Sequence, residues 1–230
     1  LLTDYVWPSV EPERTVLNNA GIELVVSPDN KEGTLVSLAT DVDGILTCFA
    51  QVTEKILSSA KQCVVVGRCG VGVDNIDVKS ATNLGIAVTY VPDYCVDEVS
   101  DHVMAMMHTW NRRIIMFDRS VKENGWGSLP LTMRIMRLRG KKLGVIGFGR
   151  IGQAVSAKAQ AFGLKVFAYD PYTSQCKGSS NGAEMVDFKT LLKESDFVSL
   201  HCPLTTETTN LISVPEFDIM KCDSFLINAA

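Results

Sequence analysis

The chain is poor in histidine and has no long apolar run. Its 230 residues include only His102, His108 and His201, with no HxxxH pair, so no metal site is predicted. No run approaches the roughly 18 apolar residues that a membrane-spanning helix needs. The net charge of -4 argues against nucleic acid or an anionic membrane as a partner. The basic cluster over 134–142 is typical of a solvated edge before a strand.

Cysteine pairs are also lacking. The seven cysteines are scattered and none forms a CxxC motif, which favours a reducing cytoplasm over a disulfide framework. No signal peptide is visible. The chain begins with Leu1, ends on the apolar strand pattern FLINAA, and is expected to be a fragment clipped at both ends.

Apolar runs alternate with helical patterns in two series, which predicts two α/β units with doubly wound parallel sheets. The units are expected at 1–93 and 94–230. Between the series, an apolar stripe from Val99 to Phe117 predicts one long helix over 95–118. This helix is expected to contribute to the core or to a subunit interface, and Trp126 after it to pack against a neighbouring surface. The predicted strands are 1–4, 22–27, 44–49, 63–67, 86–90, 143–146, 165–169, 197–201 and 224–228, and the predicted helices are 10–20, 53–61, 77–84, 150–162, 187–193 and 214–220.

The segment 142–172 carries a glycine-rich turn between a strand and a helix. Gly147, Gly149 and Gly152 form GxGxxG, in which the first glycine allows a tight turn. The second lets a pyrophosphate approach the backbone, and the third lets the helix pack against the strand. Asp170 ends the next strand, where an acid hydrogen-bonds a ribose 2'-hydroxyl and repels a 2'-phosphate. The pattern predicts NAD rather than NADP.

Two further loops follow predicted strands, where open α/β sheets bind ligands. In GRCGVGVDNID (67–77), backbone N–H groups and Arg68 could hold a carboxylate. Alternatively, this is a plain connection with Arg68 in a surface ion pair. In HCPLTTET (201–208), His201 is better explained by packing or hydrogen bonding than by catalysis, and so is His102 on the long helix.

Four segments together resemble the D-isomer-specific 2-hydroxyacid dehydrogenases, a family that includes D-3-phosphoglycerate dehydrogenase, glyoxylate/hydroxypyruvate reductase and the C-terminal-binding-protein corepressors. The segments are GVGVDNIDVKSATNLGIAV, VPDYCVDEVSDH, LRGKKLGVIGFGRIGQAVSAKAQAFGLKVFAYDPY, and HCPLTTETTNLI with FLINAA. The resemblance implies a flavodoxin-like substrate domain (1–93) and a Rossmann NAD-binding domain (94–230). It also implies that the family's catalytic Arg, Glu and His lie beyond Ala230, so no catalytic residue is assigned and the chain alone is expected to be inactive.

The resemblance further implies roles for individual residues. Backbone at Val71 and Gly72 would meet the substrate carboxylate, with Arg68 beside them and Val71 also near the nicotinamide. Asp170 would bind the adenine ribose and Ala229 would lie at the nicotinamide end. The residues implied at the pyrophosphate are Gly147, Phe148, Gly149, Arg150, Ile151 and Gly152, and those implied further along the cofactor are Cys202, Pro203 and Thr208.

The resemblance leaves two functions open. The first is a homodimeric, NAD-dependent oxidoreductase that moves hydride between the nicotinamide and C2 of a 2-hydroxy or 2-keto acid. The second is an NAD-sensing binding protein of the corepressor type, suggested by KSATNLGIAV and AKAQAFGLKVFAYDPY. The intact small-molecule loops favour the enzyme, while the particular acid is not identified.

Overall fold

The computed structural model describes residues 1–127, 135–173 and 182–230, which divide into two compact units, Leu1–Tyr94 and Cys95–Ala230. The end of the predicted loop 122–131, Arg134 and Cys176 lie outside the described residues. No helix among the described residues is long and apolar enough to cross a membrane.

The sheet of the first unit is parallel and flavodoxin-like. Strands β1 (Gly44–Thr47), β2 (Val65–Arg68) and β3 (Ala87–Thr89) lie in that order. Leu2 forms parallel bridges to both Val26 and Leu46. The predicted strands 1–4 and 22–27 therefore join the sheet, each through a single bridging residue. The resulting spatial order is 2-1-3-4-5.

The helices of this unit, apart from the first, contribute buried residues to one apolar core. They are α1 (Glu11–Asn19), α2 (Glu32–Leu38), α3 (Glu54–Ser59) and α4 (Val78–Asn83), with a short 3-10 turn at Ala39–Asp41. Helix α2 was not predicted. Its Leu35 is fully buried with Ile45 and Ile56, so the helix is held by its packing.

The second unit has a five-stranded parallel sheet. Its strands are β4 (Lys142–Ile146), β5 (Lys165–Tyr169), β6 (Glu184–Met185), β7 (Phe197–Leu200) and β8 (Phe225–Asn228). Their spatial order is β6-β5-β4-β7-β8, the Rossmann arrangement. The order reverses between β4 and β7, so the loops after these two strands meet where such sheets bind ligands.

Helices lie on both faces of this sheet. They are α5 (Val96–Asn111), α6 (Ile114–Asn124), α7 (Arg150–Ala161), α8 (Phe188–Glu194) and α9 (Val214–Ile219). Val103, Met107 and Val155 from α5 and α7 pack on one face, and Leu191 and Leu192 from α8 pack on the other. The predicted doubly wound α/β fold is therefore confirmed.

The single helix predicted over 95–118 is wrong. Helix α5 ends near Arg112, and α6 begins after Arg113, whose φ of 55° is left-handed. The Arg113 guanidinium lies 4.6 Å from the centre of the Trp110 ring, a contact that accompanies this break. As a result the apolar stripe is buried along α5 but exposed along α6. Trp126 is 95% exposed, so it does not pack within its own chain.

Asp196 joins three strand starts in the second unit. Its Oδ2 accepts the Lys142 N–H (2.9 Å), and Nζ of both Lys141 and Lys221 lies 3.2 Å from Oδ1. Burial alone would raise the pKa of Asp196, but the Lys142 amide and the two ammonium groups outweigh it and lower the pKa below its ordinary value. The carboxylate therefore stabilises β4, β7 and the approach to β8.

Candidate active site

The glycine-rich turn leads from β4 into α7. Gly147 has φ +88°, and a Cβ there would lie 2.6 Å from the backbone nitrogen of Cys202. Only glycine meets both demands, the left-handed backbone and the close approach. The turn is thus packed directly against the loop that follows β7.

The other two glycines differ from each other. A Cβ on Gly152 would overlap the carbonyl oxygen of Gly147, so this glycine allows the helix to approach the strand. A Cβ on Gly149 would meet no atom of the described part of the chain within 4 Å. Gly149 is exposed, so packing within the protein does not require a glycine here, whereas a ligand that approaches the backbone does.

Among the described residues, no side chain caps the N-terminus of α7. Asp77 accepts the Ser80 N–H at the start of α4, and Asp187 accepts the Thr190 N–H at the start of α8 (both 2.9 Å). Gly149, the N-cap of α7, has no side chain to offer. The first-turn N–H groups and the helix dipole are therefore available to an anion, with the exposed Arg150 beside them.

Asp170 lies at the end of β5, beside this turn. Its Oδ2 accepts the N–H of the fully buried Phe148, and its Oδ1 accepts the Tyr172 N–H (both 2.8 Å). A carboxylate has about four acceptor positions, so it can still accept a ribose hydroxyl. Ile151 is half-buried on the first turn of α7 and packs against the core, which anchors the helix start.

The loop after β7 is folded on itself. Thr208 Oγ1 donates to the Pro203 carbonyl (2.5 Å) and accepts the Thr205 N–H (2.8 Å). Cys202 is half-buried, and burial raises the pKa of its thiol. The thiol is therefore uncharged where it lines this loop.

His201 is neutral at physiological pH because burial lowers its pKa to about 4. Its Nε2 lies 2.8 Å from Ser199 Oγ, while its Nδ1 has no partner among the described residues.

A cavity of about 450 Å³ opens at the carboxyl end of β8. It is lined by Glu98, Val99, His102, Met106, Asn228 and Ala229. Ala229 was predicted at the nicotinamide end of the site, whereas Glu98 and His102 were not assigned to it. Their four-residue spacing on α5 places them on one helix face, but only the packing of α5 beside β8 brings that face to Ala229.

In the first unit, Arg68 is oriented by polar and aromatic contacts. Its Nε donates to Asn75 Oδ1 (3.1 Å), Asn75 Nδ2 donates to the Ala50 carbonyl (2.9 Å), and the guanidinium carbon lies 5.6 Å from the Phe49 ring centre. No carboxylate in the described part of the chain pairs with Arg68, so the surface ion pair considered above is not seen.

The adjoining residues of this loop also remain accessible. Val71 is half-buried and Gly72 is exposed, so a ligand can reach backbone at this point of the loop.

The second unit has the features of a dinucleotide-binding domain. It combines a Rossmann strand order, an uncapped helix after an open glycine turn, and an acid at the end of the adjacent strand. The open space at Gly149 is the observation that fits a bound pyrophosphate best.

Comparison with known proteins identifies the family. Residues 104–230 match the family model described as "D-isomer specific 2-hydroxyacid dehydrogenase, NAD binding domain". The chain is 39% identical over 204 residues to glyoxylate reductase from Thermococcus litoralis, covering 86% of this chain and 62% of that protein. It is 36% identical to D-3-phosphoglycerate dehydrogenase from Methanocaldococcus jannaschii, covering 100% of this chain and 43% of that protein. The chain belongs to the D-isomer-specific 2-hydroxyacid dehydrogenase family.

A solved structure supports the same assignment. D-lactate dehydrogenase from Aquifex aeolicus, complexed with NAD and lactic acid, superposes with a TM-score of 0.89 at 28% identity. The match covers 99% of this chain and 67% of that one. The prediction of NAD as cofactor is thereby confirmed. The chain spans only about a third to two thirds of the length of the first curated relatives that it matches.

Proposed function

We propose that the protein is an NAD-dependent oxidoreductase that interconverts a D-2-hydroxy acid and its 2-keto acid. The open glycine turn beside Asp170 supports this most directly, because it gives a site for the cofactor that relatives of this family use. Bound NAD supplies the acceptor or donor of the hydride. The protein orients the cofactor and the acid relative to each other, and it places charged groups beside them.

The second unit holds the cofactor in this proposal. The first-turn N–H groups of α7, with Phe148 to Gly152 around them, bind the pyrophosphate. Asp170 accepts a ribose hydroxyl. Cys202, Pro203 and Thr208 line the middle of the cofactor, and Ala229 marks its nicotinamide end.

The loop after β2 holds the substrate. Backbone at Val71 and Gly72 donates to the substrate carboxylate, and Val71 also contacts the nicotinamide. Arg68 adds positive charge and, held by Asn75, presents its guanidinium in a fixed direction. A substrate with a second anionic group, a phosphate or carboxylate, uses Arg68 best.

We also propose a homodimer in the cytoplasm. The exposed stripe Ile114, Phe117 and Val121 on α6, together with Trp126, offers an apolar surface that a second copy of the chain would cover. The described cysteines are all unpaired, which fits a reducing compartment.

The test is NADH oxidation by the natural protein, purified from its own source, with a panel of 2-keto acids. The panel compares glyoxylate and hydroxypyruvate with the phosphorylated form of hydroxypyruvate. Activity with at least one of them is expected, and none with any would overturn the proposal. NADH-dependent peptide capture without turnover would instead favour the corepressor-like alternative.

The variant Arg68→Gln tests the substrate loop. It is expected to raise KM about 10-fold or more for the phosphorylated acid, because it removes a charge-assisted contact of roughly 1.5–3 kcal/mol. KM for glyoxylate should change less. Equal effects on both acids would show that Arg68 does not read a second anionic group.

A further inference from the structure

We propose that Cys48 and Cys69 form an oxidation site: a hydroperoxide converts this thiol pair into a disulfide beside the loop 67–72. Neither cysteine has a role in the cofactor or substrate site described above. Both are free thiols in the structure. The argument rests on the register of β1 and β2.

The two cysteines directly follow neighbouring strands. Thr47 on β1 pairs with Arg68 on β2 in a parallel register, so Cys48 and Cys69 are the next pair along. The Cys69 N–H donates to the Thr47 carbonyl (2.8 Å), which keeps the two chains together one residue past the strands. Neighbouring strands lie about 4.8 Å apart, within the roughly 4.4–6.8 Å between Cα atoms that a disulfide requires.

The side chains share a face of the sheet. A Cβ built on Gly67 would lie 2.8 Å from Cδ2 of Leu46, its register partner, so paired positions point to the same side. Cys48 and Cys69 come two residues later on each strand, which returns to that side. Extended by one residue, the register therefore points to a short separation and a common direction, the two geometric conditions for a disulfide.

The surroundings lower the thiolate fraction of both cysteines and so slow their oxidation. Burial raises the pKa of both, and charge on Cys48 raises the pKa of Cys69 further, while Arg68 acts in the opposite direction. Asp4 raises the pKa of both thiols and Glu13 that of Cys69. Because the thiolate is the reactive form, oxidation needs a strong oxidant such as a hydroperoxide.

The reaction proceeds in two steps. Cys69 reacts first because it is only half-buried, whereas Cys48 is only 4% exposed. Its thiolate attacks the peroxide and breaks the O–O bond, giving a sulfenic acid and an alkoxide that takes a proton to become the alcohol. Cys48 then attacks the Cys69 sulfur, forming S–S and breaking S–O, and the released hydroxide becomes water. In total, two thiols are oxidised and one hydroperoxide is reduced to an alcohol and water, or to two waters when the oxidant is hydrogen peroxide.

The crosslink joins the loop 67–72 to a fixed segment. Asp4 accepts the N–H groups of Cys48, Phe49 and Ala50 at 3.0, 2.7 and 3.1 Å. Burial would raise the pKa of Asp4, but these amides and Thr3 lower it, so the carboxylate stays charged and the segment stays held. The disulfide would restrict the neighbouring Val71 and Gly72. A resulting loss of turnover rests on the proposed function, whereas formation of the disulfide does not.

The test is peptide mapping by mass spectrometry after exposure to hydrogen peroxide, in a Cys222→Ser background that removes an exposed thiol. We expect a Cys48–Cys69 linked peptide in more than half of the protein, lost on treatment with dithiothreitol. The control variants Cys48→Ala and Cys69→Ala should give none. NADH affinity should change little on oxidation, because the proposed cofactor contacts lie in the second unit except for that of Val71.

Two results would overturn the proposal. In the first, Cys69 is oxidised to a sulfinic acid without forming a disulfide. In the second, both thiols remain unmodified although other residues of the protein have reacted with the peroxide. Each can be read without any activity assay. A linked peptide in a protein without turnover would keep the disulfide and reject only the proposed function.

Discussion

Replacing Gly149 by alanine should separate cofactor binding from folding. The new Cβ meets nothing within 4 Å, and the φ of -75° suits alanine. A favourable unfolded-state effect of about 0.4–1 kcal/mol opposes a preference of similar size for glycine over alanine as N-cap, so the free energy of unfolding should change by less than about 1 kcal/mol.

Cofactor binding should suffer far more. The methyl group occupies the open space through which a pyrophosphate reaches the backbone. Loss of one charge-assisted hydrogen bond costs roughly 1.5–3 kcal/mol, which weakens NADH binding by about 10- to 150-fold. The assay is a fluorescence titration with NADH, paired with urea unfolding of the same samples.

Gly152→Ala is the matched control. Its Cβ would overlap the Gly147 carbonyl oxygen, so the backbone must shift and unfolding should become easier by about 1–3 kcal/mol. If Gly149→Ala binds NADH like the parent, the phosphates do not approach at Gly149. If Gly152→Ala is as stable as the parent, the close-packing argument for this turn is wrong.

Three further variants test other features. Asp170→Asn should weaken NADH binding about 10-fold or more and lessen discrimination against NADPH, because it removes the charge that repels a 2'-phosphate; equal loss for both cofactors in the titration would contradict this. Ile114→Glu on α6 should shift sedimentation towards monomer, whereas Ile22→Glu, exposed at 52% against 50% for Ile114, should not. The Asp196 carboxylate has a lowered pKa when folded, so its stabilisation is complete above about pH 4 and is lost as pH falls through the lower folded value. Urea midpoints of Asp196→Asn should therefore fall below the parent's at pH 7 and approach them in acid, and a gap independent of pH would refute the assignment.

The glycine turn could be predicted because its requirements are local. The left-handed backbone of Gly147 and the overlap at Gly152 involve residues a few positions away or the adjoining strand. The buried strands were equally visible, since β4 and β7 are almost continuous apolar runs. Parallel pairing then followed from the helices between them.

The features that the sequence could not show depend on distant contacts. The break at Arg113 has no glycine or proline to signal it and coincides with stacking on Trp110. Helix α2 is short and is held by burial of Leu35. Glu98 and His102 reach the cavity at Ala229 only because α5 packs beside β8. In the first two cases tertiary packing overrides a weak local preference.

The hydrogen bonds of Asp170 constrain how this domain can change its cofactor. The same carboxylate that would meet the ribose also accepts the buried Phe148 amide and the Tyr172 amide. Exchanging it for a small or basic residue leaves the Phe148 N–H without its acceptor, which costs about 1–3 kcal/mol before any new ligand is bound. An evolutionary or engineered route to NADP must therefore first supply another acceptor for that amide. Asp170 therefore stabilises the turn as well as setting the cofactor preference. A mutation that changes one of these properties also changes the other.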